Sequence, residues 1–190
     1  MSEFSITSPD FNDGEEIPKI FGYKHENESP HIRFKSVPNE AKTLALIMDD
    51  PDAMAAVGKV WVHWLLANIS SQVEIWRGET PARILAEDEP HASALIMDDP
   101  DAMAAVGKVW VHWLEYSGAF DEYVTNGKND FGELGYGGPA PPDGRHTYVF
   151  KLYDLDSDLE LKEGFSKQEL EDAMKGHILA EAKLTGTFAP

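Results

Sequence analysis

A mainly β domain with one C-terminal helix is the fold class this chain predicts, and three observations predict it. The 190 residues are 42% apolar and include five tryptophans, enough to build a core rather than remain disordered. Short β-branched and aromatic segments recur, cut apart by Pro, Gly, Asn and Asp. Only one stretch combines a helix cap with apolar residues at helical spacing.

In chain order, His31–Lys35 alternates as a strand and runs into the turn-forming Val37-Pro-Asn-Glu. Leu44–Met48 reads as a short buried strand stopped at Asp49-Asp50-Pro51, and Val60–Leu66 as an aromatic, β-branched strand. The region Leu66–Ser93 is less regular; Thr80-Pro81 suits the start of a short helix that Pro90 would end. Asn129–Gly144 is a long Gly/Pro loop, and Thr147–Tyr153 returns to strand character. Ser166 and Glu169 form a capping box, followed at helical spacing by Leu170, Ala173, Met174, His177 and Ile178. Ala182–Phe188 is expected to be extended and to rejoin a sheet.

One feature interrupts this pattern. The 21 residues Ala45–Leu65, ALIMDDPDAMAAVGKVWVHWL, return letter for letter as Ala94–Leu114, 49 positions later. Solenoids and propellers repeat with drift and many times over; a perfect repeat present only twice points to duplication of one piece of a single domain. Within it, Asp99-Pro100-Asp-Ala-Met-Ala-Ala also suits a helix start, although VWVHWL prefers a strand, so the two copies need not share a conformation.

With 16 basic and 34 acidic residues the net charge is −18, which repels nucleic acid and anionic membranes, and no basic run offsets it. There is no cysteine, hence no disulfide framework and no thiol nucleophile. The opening MSEFSITSPDF lacks the basic start and apolar run of a signal peptide, and the aspartates of the repeat break up its apolar stretch. The expectation is a cytoplasmic protein with no integral membrane association and no nucleic-acid partner.

Three segments carry a family resemblance: Leu46–Leu65 with its DPDA and WVHW; Asn129-Asp-Phe-Gly with Gly135-Tyr-Gly-Gly-Pro-Ala-Pro-Pro-Asp-Gly and the following His146-Thr-Tyr148; and the tail ELEDAMKGHILAEAKLTGTFAP. In this order and spacing they resemble the phosphatidylethanolamine-binding protein family, which includes Raf kinase inhibitory proteins and small bacterial and archaeal relatives. The resemblance implies a large antiparallel sheet packed on a smaller one. Two departures stand out. Met54 (and Met103) occupies the position of a family proline after DPDA, and the chain carries tens of residues the pattern does not need. Copy one has family-like flanks, SPHIRFKSVPNEAKT and LLANIS, whereas copy two does not. The chain is therefore expected to be a single domain, 1–190, with an insertion at about 71–120 that carries the second copy, and copy one is the better candidate for the core.

Alternation places Trp61, His63 and Leu65 on one strand face, Val62 and Trp64 on the other, and groups His146, Tyr148 and Phe150. The resemblance brings these faces together as a small anion pocket of Asp50, Asp52, Trp61, His63, Gly138, Pro139, His146 and Tyr148. If copy two formed the pocket, Asp99, Asp101, Trp110 and His112 would replace the first four. Two aspartates suit an anion only if they orient and charge His63 and His146, which then donate hydrogen bonds; binding should then strengthen as pH falls from 8 toward 6. Without the family pattern, a histidine among tryptophans is more simply a packed core residue, and Asp50-Pro51 a strand-ending turn. His25, His31, His91 and His177 read as surface or packing residues.

The expected function is non-enzymatic binding of a phosphate-bearing or other anionic small molecule, with no cofactor and no metal. In this family such binding is associated with kinase regulation or serine-protease inhibition. Two alternatives stand beside it. One is a metal- or acid–base-dependent hydrolase using the same Asp/His/Tyr cluster, although HExxH, nucleophile-elbow and Walker motifs are all missing. The other is a chain made or selected for its duplication, with function impaired and a homodimer formed through the inserted segment.

Overall fold

The computed structural model describes residues 3–70, 74–75, 77–78, 94–99, 110–116 and 124–190. The chain divides into two compact units, Met1–Ala82 with Glu122–Pro190, and Arg83–Asp121.

The first unit is built on a five-stranded antiparallel sheet. Its strands are β3 (Thr43–Asp50), β4 (Trp61–Ser70), β7 (Thr125–Asn126), β8 (His146–Leu155) and β9 (Ile178–Phe188), in the order β7-β4-β3-β8-β9. A two-stranded sheet of β1 (Ser5–Thr7) and β2 (Arg33–Lys35) accompanies it. Central β3, TLALIMDD, is buried at every position, as expected of a strand covered on both faces. One face carries Leu44, Leu46, Met48, Trp64, Phe150 and Leu152 against Ile6, Phe11, Ile17 and Phe21 from the N-terminal segment. The other carries Ala45, Ile47 and Leu65 against Leu170 and Met174. Each such aliphatic or aromatic side chain contributes about 1.5–3 kcal/mol on burial.

The expected elements are present with shifted ends. A short helix, α1 (Ala53–Val57), follows the Asp-Pro turn, and Gly58 closes it. The capping-box helix, α2 (Lys167–Met174), has both reciprocal hydrogen bonds between Ser166 and Glu169. It stops before His177 and Ile178, which helical spacing had included. Gly176 turns the chain at φ 82°, a left-handed conformation that glycine adopts without strain, and Ile178 already begins β9. The expected extended piece Ala182–Phe188 is thus the far part of a longer strand.

Residues 74, 75, 77 and 78 bond to residues of the first unit. Ile75 bridges Ile32, the Gly78 N–H donates to the Ser29 carbonyl, Arg77 pairs with Asp10, and Glu74 pairs with His31 and Arg33. The short helix expected between Thr80 and Pro90, and the helix start at Pro100, lie outside the described residues.

The second unit contains β5 (Ala94–Asp99) and β6 (Trp110–Tyr116), paired antiparallel. The two copies share a conformation here: Ile96↔Leu114, Met97↔Trp113, Asp98↔Val111 and Asp99↔Trp110 repeat the pairings Ile47↔Leu65, Met48↔Trp64, Asp49↔Val62 and Asp50↔Trp61. The register slip between Met48 and Asp49 returns between Met97 and Asp98.

Candidate functional site

The end of β3, the start of β4 and the start of β8 meet at one end of the main sheet. The β3–β4 register passes from Met48↔Trp64 to Asp49↔Val62, leaving His63 as the extra residue of a bulge. The bulge breaks the alternation expected from sequence. Trp64 packs with Tyr148 and Tyr136 on the face that His63 also uses, while Val62 and Leu65 pack on the α2 face. Leu65 therefore does not share a face with His63. Asp49 and Asp50 do alternate. Asp49 accepts from Lys151 and Lys167 on the helix side, and Asp50 faces His146.

His146 is held between two carboxylates. Its Nδ1 lies 2.7 Å from Asp50 Oδ2 and its Nε2 lies 2.9 Å from Asp143 Oδ1. Burial by itself would lower the imidazole's pKa, but the hydrogen bonds and charges of Asp50 and Asp143 outweigh it and raise the value. Asp50 Oδ1 also accepts the Ala53 N–H at 3.1 Å, tying the start of α1 to the end of β3. His146 was expected to donate to a bound anion; both of its N–H groups are instead directed at carboxylates.

His63 differs from expectation as well. Its Nδ1 lies 2.7 Å from the Gly137 carbonyl, an acceptor only, so Nδ1 carries the hydrogen. Burial, opposed by the Gly137 carbonyl and Asp50, lowers its pKa, so His63 is neutral rather than charged by the aspartates. Tyr148 is buried, and burial together with the Asp50 charge pushes its ionisation well up.

A cavity of about 270 Å³ lies beside these groups, lined by Tyr23, Lys24, Asp50, Ala53, Val57, Trp61, His63, Phe131, Ala140 and Pro142. Phe131 organises the aromatic wall. It stacks on Tyr23 at 3.9 Å and meets Trp61 and His63 edge-on at 5.4 and 5.5 Å. Asn129 shapes the turn that presents Phe131, because its Oδ1 accepts from the N–H groups of Phe131 and Glu133.

Asp50, Trp61 and His63 thus line the cavity, with His146 and Tyr148 directly behind them. Asp52 does not belong to the wall. It is exposed and accepts the Thr147 N–H at 2.7 Å, tying α1 to β8. Gly138 and Pro139 are buried beneath the rim. The Gly138 N–H donates to Asn27 and the Pro139 carbonyl accepts from Tyr23. A Cβ on Gly138 would stand 2.0 Å from the Phe21 carbonyl oxygen, so only glycine fits. Their neighbours Ala140 and Pro142 form the rim instead. Tyr23, Lys24, Phe131 and Asp143 were missed. Phe131 and Asp143 lay inside motifs already singled out, but nothing in the N-terminal sequence marked Tyr23 or Lys24. Of the second-copy candidates, Asp99 and Trp110 pair with one another in β5–β6, His112 lies on β6, and Asp101 lies outside the described residues. Among the described residues, no group of three or more His, Asp or Glu side chains is arranged to hold a metal ion, and no helix is long and apolar enough to cross a membrane.

The family model described as phosphatidylethanolamine-binding protein matches residues 7–90 and 83–189, two spans that each contain one copy of the repeat. A UPF0098 protein of Methanothermobacter thermautotrophicus is 39% identical over 94% of this chain and 93% of its own length. One from Chlamydia muridarum is 36% identical over 96% and 97%. The solved structure of a phosphatidylethanolamine-binding protein homologue from Chlamydia trachomatis superposes with a TM-score of 0.72 at 30% identity, over 98% of this chain and 97% of that one. Escherichia coli YbcL shares the fold, with a TM-score of 0.70 at 23% identity and 98% coverage of both chains. The chain belongs to the phosphatidylethanolamine-binding protein family.

Proposed function

We propose that the cavity binds a small phosphate-bearing or other anionic ligand and performs no chemistry on it. The observation that carries this reading is a buried, unpartnered donor in the cavity wall, the Trp61 indole N–H, with the Tyr148 hydroxyl buried behind it. A buried donor without an acceptor costs about 1–3 kcal/mol, which a ligand oxygen would recover. Lys24 adds a positive charge to the lining. The Asp50 charge, which would repel an anion, is offset when the His146 ring beside it is protonated.

Titration with phosphate and phosphoethanolamine tests the reading. Trp61→Phe and Tyr148→Phe each remove one donor and should weaken binding about tenfold, the equivalent of one hydrogen bond to a charged group. Sulfate, whose charge is constant across neutral pH, isolates the protein's own titration. Its affinity should rise as pH falls from 8 toward 6, because His146 protonates and compensates Asp50. Unchanged affinity in both variants, or a flat sulfate profile, would contradict the assignment.

A further inference from the structure

The Asp143 end of the cavity's proline-rich rim is fastened through the His146 ring. Asp143, three residues before His146, reaches Nε2 from the loop, while Asp50, at the end of β3, holds Nδ1. Carboxylates only accept, so the double contact needs a hydrogen on both nitrogens, and a neutral imidazole has only one. When the proton leaves, one contact must go. Asp50 is 4% exposed at its side chain and Asp143 is 61% exposed. A buried carboxylate deprived of its partner is far costlier than an exposed one that water can solvate, so the Asp143 contact is the one released.

We propose that His146 is a proton-operated latch on the cavity rim. Its imidazolium pins the Asp143 end of the loop to the sheet, and its neutral form frees that end of the loop, next to the rim residue Pro142. The other groups around the ring leave this choice intact. Asp52 is engaged by the Thr147 N–H, and Arg145 points to Glu16 and Thr187. His63 is tied to Gly137, the Tyr148 hydroxyl stays protonated, and on the β9 side the residue opposite His146 is Phe188, whose ring meets His25. The latch regulates the cavity proposed above as an anion site and rests on that reading only for its consequence; it operates with no ligand present.

The test is proton–nitrogen NMR of the full chain from pH 5.5 to 8.5, following the His146 ring nitrogens and the backbone amides of Gly138, Ala140, Asp143 and Gly144. In the unmodified protein the loop amides should titrate together with His146, at a midpoint above the ordinary histidine value. In Asp143→Asn, a surface change that leaves the core untouched, the His146 midpoint should fall by about half a pH unit and the loop amides should stop following it. Loop amides that do not titrate, or that still titrate in Asp143→Asn, overturn the latch. Phosphate titrated into the same samples at pH 6 separates the two ideas. Binding without a loop titration removes the latch and keeps the site, whereas a loop titration without binding keeps the latch and removes the site.

Discussion

Asp154 shows what an uncompensated carboxylate does in this fold. It is fully buried on β8, and burial, only partly offset by the Leu155 backbone, pushes its pKa up to about 6. A carboxyl whose folded value is raised favours the folded state below the unfolded value and loses that advantage as pH climbs to the folded value, here between about 4 and 6. Asp154→Asn should therefore raise stability at pH 7 by about 1–2 kcal/mol in urea unfolding and give no gain at pH 4. A gain that is equal at both pH values would contradict this. His146 works in the same sense but in a higher window. Its raised value adds stability that is complete below its ordinary 6.5 and is lost as pH rises through the folded value. The same side chains show what a sequence displays at this scale. The spacing of His146 and Tyr148 placed both on one buried face. The neutrality of His63 and the double clamp on His146 depend on the Gly137 carbonyl and on Asp143, contacts made by loop geometry that no local pattern encodes.

At the scale of elements, α2 rests on its cap and β4 on its bulge. Ser166 accepts the Glu169 N–H and Glu169 accepts the Ser166 N–H, so two otherwise orphaned donors are satisfied at the helix start. Ser166→Ala should cost about 1 kcal/mol, read as a lowered urea midpoint with an unchanged denaturant slope. The capping box was legible because it is a local motif four residues long. The end of α2 was not, because His177 and Ile178 fit helical spacing and only the left-handed turn at Gly176 diverts them into β9. The bulge at His63 was hidden for a similar reason. Strict alternation is the default for a strand, and the extra residue emerges only when β3 and β4 are set in register.

At the scale of the whole molecule, one sheet accepts one copy of the repeat, and the residues just beyond it decide which. After copy one, β4 continues as Leu66-Ala67-Asn68-Ile69, with Leu66 and Ala67 fully buried and Ile69 nearly so. After copy two, the corresponding residues are Glu115-Tyr116-Ser117-Gly118, which would put a carboxylate at the buried Leu66 position and remove the side chain of Ile69. Twenty-one identical residues cannot themselves distinguish the copies; their non-identical flanks can, and those were visible in the sequence. Reading the second copy as an inserted segment predicts that deleting 83–121, closed by a short glycine linker, leaves a protein that unfolds cooperatively with an unchanged urea midpoint. Loss of cooperative unfolding would show that the segment is needed by the rest.

Whether the cavity is an anion site is decided by a phosphate titration followed by calorimetry on four proteins: unmodified, Tyr148→Phe, His63→Gln and His112→Gln. The unmodified chain should bind phosphate, the first two variants should bind it more weakly, and His112→Gln should bind it unchanged. Loss confined to His112→Gln would move the site to the second copy, and no binding by the unmodified chain would contradict an anion-binding cavity outright.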